Sequence, residues 1–192
     1  MYKRQIFDQA LKECTNPELK ARLTSGVEIT AGLIDRVRSL SLNLRPSMLD
    51  DFGLFPALTW LLEQNKKQSG IALQSNFTAN ADIRYPANIE TAVFRVVQEA
   101  LTNIVRHAEA DHVWVTLEER GGELIVRVED NGRGFDLQTL IQSMENYSTG
   151  ISGMEERIRL AGGVFEIDPQ IGGGTRITAR FELEGKETDE DN

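Results

Sequence analysis

The sequence predicts an α+β chain: a pair of N-terminal helices, then a domain in which helices and strands mix. Three observations carry this. Apolar or small residues recur at Leu19, Leu23, Val27, Thr30, Ile34, Val37, Leu40 and Leu44, in steps mainly of three and four, the period of one helix face. Val113, Val115 and Leu117 alternate with other residues ahead of Gly121-Gly122, and Leu124 to Val128 follow, the pattern of two strands joined by a tight turn. A long apolar stretch opens at Pro86, where proline suits a helix start.

Taken in order, residues 2 to 13 read as a helix that ends at Asn16-Pro17. A second helix starts near Pro17, since proline is favourable at a first helical position. Its apolar stripe fits either the seam of a helical bundle or one helix lying on its own core. The polar opposite face, with Glu28, Asp35 and Arg36, favours the seam. Pro46 ends this helix, because the residue before a proline avoids helical angles. Phe55 to Gln68 reads as an amphipathic helix stopped by Gly70, and Ile71 to Phe77 as a strand. Residues 136 to 149 are polar with few bulky anchors, as expected of a mobile flap. Met154 to Ala161 reads as a helix ended by Gly162-Gly163, and Val164 to Ile167 and Thr175 to Leu183 as the last strands. The two parts join near residues 46–53.

Composition narrows the chemistry. At 192 residues there is room for one sizeable core and a small accessory element. The net charge of −9 argues against nucleic-acid or membrane-surface binding, which needs a basic face. Cys14 is alone, so no internal disulfide forms. No apolar run approaches the ~18 residues of a membrane span. The run from Glu182 to Asn192 is acidic and reads as a frayed tail.

The most informative stretch is Val96 to Ala108. On an otherwise apolar helix it places Glu99, Asn103, Arg106 and His107 on one face. A buried polar cluster is expensive unless each member has a partner, and the expected partner is a metal-bound nucleotide. Asn103 offers a neutral oxygen, and magnesium takes oxygen ligands while bridging to phosphates. Arg106 and His107, one turn further on, are candidates for phosphate charge. The plainer alternative is a self-satisfied polar network.

Three later stretches bear on this. Asp130 follows a strand and precedes Gly132 and Gly134. A carboxylate there suits an adenine amino group, and the glycines permit close backbone approach; an ordinary Asn-Gly turn is the alternative. Gly150 and Gly153 flank a helix start, where amides attract phosphate; a flexible loop would look the same. Gly172, Gly173 and Gly174 precede Thr175 and the last strand, and a hairpin turn needs no more. There is no G-x-x-x-x-G-K-[ST] loop and no G-x-G-x-x-G after a first strand. The two histidines and the cysteine lack zinc spacing, and His112 is assigned no role.

In order and spacing, Val96 to Ala108, Glu129-Asp130-Asn131-Gly132-Arg133-Gly134-Phe135, Ser148 to Arg157 and Gly172 to Thr175 resemble the N, G1, G2 and G3 boxes of the ATP-binding domain of sensor histidine kinases. The wider superfamily includes type II topoisomerases, Hsp90 and MutL. Leu44 to Leu54 and the Gly-Ile-Ser-Gly-Met form of the second glycine box resemble the nitrate/nitrite-sensor-type subfamily. The resemblance covers roughly residues 17 to 184. It implies an α/β sandwich, a mixed sheet covered by helices on one face and preceded by a helical dimerisation hairpin. It further implies Mg-ATP, with Asn103 at the metal, Glu99 positioning its water or assisting as a base, and Asp130 at adenine. Gly132, Gly134, Gly150, Gly153, Gly172 and Gly174 would surround the nucleotide, with Arg106, His107 and Thr175 as further contacts. A homodimer through the N-terminal helices, a cognate response regulator and a cytoplasmic location follow, with membrane attachment only through segments absent from this chain.

The resembled family transfers a γ-phosphoryl group to a histidine on the first bundle helix. Here only His107 and His112 occur, both within the nucleotide-binding part. The expectation is therefore a fragment, or a chain without its acceptor, that does not phosphorylate itself. Expected divisions are a partial hairpin over 1–45, a linker over 46–53, an ATP-binding domain over 54–184 and a tail over 185–192. Two competitors are a catalytically silent dimerisation module and an anti-sigma-type serine kinase. Intact Asn103 and Asp130 disfavour the first, and the helix seam disfavours the second.

Overall fold

In a computed structural model of the chain, the structure describes residues 16, 19–21, 24–26, 47–79, 83–137 and 150–183. The chain divides into two compact units, Met1–Ser47 and Met48–Asn192. In the first, residues 19–21 and 24–26 are helical. Asn16 caps this helix: its Oδ1 accepts the Leu19 N–H at 3.2 Å and its carbonyl accepts that of Lys20 at 3.0 Å. The 2–13 helix, the seam from Val27 to Leu44, Leu23, flap residues 138–149 and the tail from 184 lie outside the described residues.

The second unit runs α1 (Ser47–Phe52), α2 (Leu54–Ser69), β1 (Ala72–Phe77), α3 (Ala87–Asn103), a π-helical turn (Ile104–Ala108), β2 (His112–Arg120), β3 (Glu123–Asp130), α4 (Ile151–Leu160), β4 (Gly163–Gln170) and β5 (Gly174–Glu182). The sheet order is β1-β2-β3-β5-β4. β1 is parallel to β2 and the other pairs are antiparallel. This is the mixed sheet expected. Alternation sends Val113, Val115, Leu117, Leu124, Val126, Val128, Ile177, Ala179 and Phe181 inward. They share the core with Leu58 and Leu62 of α2, Val93, Phe94 and Val97 of α3, and Met154 and Ile158 of α4. Each such side chain contributes about 1.5–3 kcal/mol on burial.

The opposite face of the sheet is a lattice of charge. Arg176 pairs with Glu129 across the β3–β5 register, and Arg180 meets Glu166 at 2.6 Å. His112 stacks on Trp114 with ring centroids 5.9 Å apart. Such a face needs no covering layer. Among the described residues no helix is long and apolar enough to cross a membrane.

One element differs from expectation. α4 begins at Ile151, three residues earlier than its apolar pattern suggests. The Gly150 carbonyl accepts the Met154 N–H at 3.0 Å, so Gly153 lies inside the first turn. Gly153 lowers helix propensity there, but buried Met154 and Ile158, one turn apart, anchor the helix. A short helix also lies within residues 46–53, the segment expected to join the two parts. Residues 48–53 belong to the larger unit, and α1 is helical with Leu49 buried.

One clamp holds α1. Arg84 donates from Nη2 to the Leu49 carbonyl at 2.7 Å and from Nη1 to that of Asp50 at 3.4 Å. Its Nε and Nη2 also grip both oxygens of Glu90, at 3.0 and 3.1 Å. Glu90 is only 2% exposed and also accepts the Tyr85 N–H. A carboxylate in the first turn of α3 suits the helix dipole, and a bidentate guanidinium neutralises it. Arg84→Ala should lower the melting temperature by several degrees, because it strands a buried charge. Glu90→Gln should cost less, since Arg84 remains half in solvent. Amide exchange at Gly53, whose N–H bonds the Leu49 carbonyl, should accelerate in the alanine variant. Unchanged melting and exchange would show that the clamp holds nothing.

Candidate functional site

The site is built where α3 ends. Glu99 and Asn103, one turn apart, are half-buried on a helix whose Val96, Val97, Ala100 and Leu101 enter the core. Both reach α4. A Cβ placed on Gly150 would lie 3.1 Å from Glu99 Oε1 and 3.8 Å from Asn103 Oδ1. Glycine at 150 is what lets the backbone come this close to two polar side chains.

Beyond Asn103 the helix widens. The Ile104 N–H is shared between the carbonyls of Ala100 and Leu101, and the turn to Ala108 is π-helical. Such turns are rare and gather at functional sites. Here the widened turn delivers the Ala108 carbonyl to the loop after β3, where it accepts the Arg133 N–H at 2.8 Å. A Cβ at Gly132 would lie 2.2 Å from that oxygen. The helix end and the glycine loop are thereby stitched together.

Asp130 closes β3 and is 7% exposed. Its Oδ1 accepts the Gly132 N–H at 2.8 Å. Burial pushes its carboxyl above the usual carboxylate range, and backbone N–H groups of Gly132 and Thr175 offset this only in part. Gly134 and Gly174 lock the surrounding loops. A Cβ at Gly134 would sit 1.9 Å from the Gln170 carbonyl oxygen, and one at Gly174 1.9 Å from that of Asp130. Gly172 donates to the Arg133 carbonyl at 2.7 Å, and Thr175 pairs with Asp130 across the sheet.

The sequence-derived residues thus fall into two joined groups. Glu99, Asn103 and Gly150 form one; Asp130, Gly132, Gly134, Gly172, Gly174 and Thr175 form the other. Gly153 stands apart, with open space where a Cβ would go. Arg106 is exposed and shares a shallow cleft with Asn65, Gln68, Ser69, Thr102 and Val105, on the α2 side of the helix. His107 is exposed on the π-helical turn. Ser148 and Thr149 lie outside the described residues.

Sequence reasoning passed over Asn131. Its Oδ1 accepts the N–H groups of Asp111 and His112 at 3.2 and 3.0 Å, and its Nδ2 donates to Asp111. This pins the loop to the start of β2. The available signal was an asparagine before glycine at a strand end, read only as a turn.

The donors at the first group are oxygens, a carboxylate and a carboxamide, as magnesium prefers. Among the described residues no trio of His, Cys, Asp or Glu gathers in metal-binding fashion. One or two protein oxygens suffice for magnesium when phosphates and water complete the shell.

Residues 88–185 match the family described as histidine kinase-, DNA gyrase B-, and HSP90-like ATPase. The chain is 37% identical over 191 aligned positions to the oxygen sensor histidine kinase NreB of Staphylococcus carnosus, covering 91% of this chain and 53% of that protein. It is 36% identical over 151 positions to an uncharacterized sensor-like histidine kinase of Chloroflexus aurantiacus, covering 77% of this chain and 25% of the other. The chain therefore spans about half the length of the first relative and a quarter of the second. Two solved structures share the fold. The histidine kinase domain of the blue-light activated kinase EL346 of Erythrobacter litoralis has a TM-score of 0.58 at 21% identity, covering 92% of this chain and 90% of that one. The histidine kinase AdeS of Acinetobacter baumannii has 0.52 at 16% identity, covering 94% and 93%.

Proposed function

Since the chain belongs to the histidine kinase-, DNA gyrase B-, and HSP90-like ATPase family, we propose that it is the Mg-ATP-binding catalytic region of a two-component sensor histidine kinase. The observation that carries this reading is the meeting of Glu99 and Asn103 with Gly150, joined through the Ala108 carbonyl to the buried Asp130 loop. One group suits metal and phosphate, the other suits a purine.

In this reading Asn103 Oδ1 would hold magnesium, and Glu99 would orient the water around it or assist as a base. The ion supplies charge neutralisation on the phosphates when bound. Asp130 accepts a hydrogen bond from the adenine amino group and so selects adenine over guanine. Amides at the start of α4, bared by Gly150 and Gly153, lie where phosphate charge is favoured. His107 and Thr175 remain second-rank contacts, while Arg106, which opens onto the cleft beside α2, is set aside. Catalysis is then mainly positioning and charge stabilisation. The acceptor is a histidine other than His107 and His112; the latter is engaged through Nδ1 with Asp111 at 2.6 Å. We assign dimerisation to the N-terminal helices, a response regulator as partner, and the cytoplasm as location.

Asn103→Ala tests the reading. Titrating ATP with and without magnesium should show a metal-dependent gain in the parent. In the variant, affinity with magnesium should drop roughly ten- to a hundredfold, with the melting temperature nearly unchanged. The same magnesium dependence in both proteins would refute the assignment.

A further inference from the structure

α3 and α4 run antiparallel, and two contacts fix their register. Gly150, at the start of α4, lies against Glu99 and Asn103. The Ala161 carbonyl, just past the end of α4, accepts Asn88 Nδ2 at 3.5 Å near the start of α3. Between these points Arg157 comes level with Arg95. Arg157 lies about two turns beyond Gly150 on the same side of α4, and Arg95 one turn before Glu99 on the same stripe of α3.

Among the described residues neither Arg95 nor Arg157 forms an ion pair with a carboxylate. Arg95 is half-buried and, among the described residues, donates to Gln98 Oε1 at 2.8 Å. Burial, and secondly the charge of Arg157, hold its guanidinium below the usual arginine range. Arg84, Arg133, Arg159, Arg176 and Arg180 each reach an acidic side chain, whereas among the described residues Arg106, Arg120 and Arg127, like Arg95 and Arg157, form no ion pair. In a chain with 30 acidic and 21 basic residues, two neighbouring guanidiniums without a counter-charge among the described residues are a standing cost. An anion entering between them would remove it. Glu99 does not serve, since its carboxylate is turned to Gly150. Gly153, one turn before Arg157, leaves the space beside α4 open.

We propose that Arg95 and Arg157 form an anion site that receives the terminal phosphate of the bound nucleoside triphosphate. This rests on the nucleotide reading above and deepens it. Arg95 is about one helical turn from Glu99 and about two from Asn103, roughly 6 and 12 Å along the axis. That spacing suits a phosphate chain that would run from Asn103 past Glu99 and end between the arginines. Guanidinium forks match phosphate oxygens in planar, paired geometry. A diphosphate leaves the two cations facing each other again, so the site distinguishes triphosphate from diphosphate.

The test is calorimetric titration of Mg-ATP and Mg-ADP into the parent, Arg95→Gln and Arg157→Gln. Each variant should lose about tenfold in ATP affinity while ADP affinity stays as in the parent. Arg157 is exposed, so its variant tests the site even if Arg95→Gln disturbs packing. Equal losses for both nucleotides, or none, would overturn the anion site and leave the nucleotide reading standing. A parent that binds neither nucleotide would overturn both.

Discussion

Replacing Gly174 with alanine is expected to destabilise the protein by about 3 kcal/mol, with nucleotide binding lost alongside. Its φ of +83° lies where side chains are rarely tolerated, and its Cβ would fall 1.9 Å from the Asp130 carbonyl oxygen and 2.7 Å from the carbonyl carbon. Both obstacles are backbone, so no rotamer change relieves the contact. Gly153→Ala makes the same chemical change where nothing lies within 4 Å, inside a helix. There it should be neutral or stabilise by roughly 0.4–1 kcal/mol. Urea midpoints of the two variants should move in opposite directions, or that of Gly153→Ala should stay put. A Gly174→Ala midpoint equal to the parent's would contradict the close packing of the last strand on the Asp130 loop.

Asp130→Asn should lower ATP affinity roughly ten- to a hundredfold, the worth of a charged acceptor, and should weaken the preference for ATP over GTP. It should also raise the stability of the nucleotide-free protein at neutral pH. Burial raises the carboxyl pKa in the fold, so the folded state binds that proton more tightly than the unfolded chain. Stability from this group is therefore fullest below the ordinary carboxylate range. It declines as pH climbs from there through the raised value, after which the ionised group is a net burden. Asparagine removes the burden and the slope. Melting curves from about pH 4 to pH 8 should show parent and variant converging in acid and separating toward neutrality, the variant higher. A less stable variant at neutral pH would mean that the carboxylate is held for structural reasons. A residue retained against stability is a mark of function.

Much of this was readable in the residues. Val113, Val115 and Leu117 alternate, and all three are buried on one face of β2. Glu99 and Asn103 are four apart, so a helix alone places them together. The glycines of 132, 134 and 174 stand where the backbone itself leaves no room for a Cβ. What escaped depends on pairings distant in sequence. Glu90 sits within the apolar stripe of α3, and nothing local says that Arg84 covers it while also holding carbonyls some 35 residues upstream. Arg95 and Arg157 come level only once α3 and α4 are laid antiparallel. The π-helical turn at Ile104–Ala108 goes with a single bond, Ala108 to Arg133, which no periodicity encodes.

The grip of Arg84 on α1 has one more consequence. It reads main-chain oxygens at Leu49 and Asp50, so it is indifferent to the side chains that outward-facing positions such as Asp51 and Phe52 carry. Those positions are free to drift, and a designer could graft a different helix upstream and keep the junction, provided that Leu49, Gly53, Arg84 and Glu90 stay as they are.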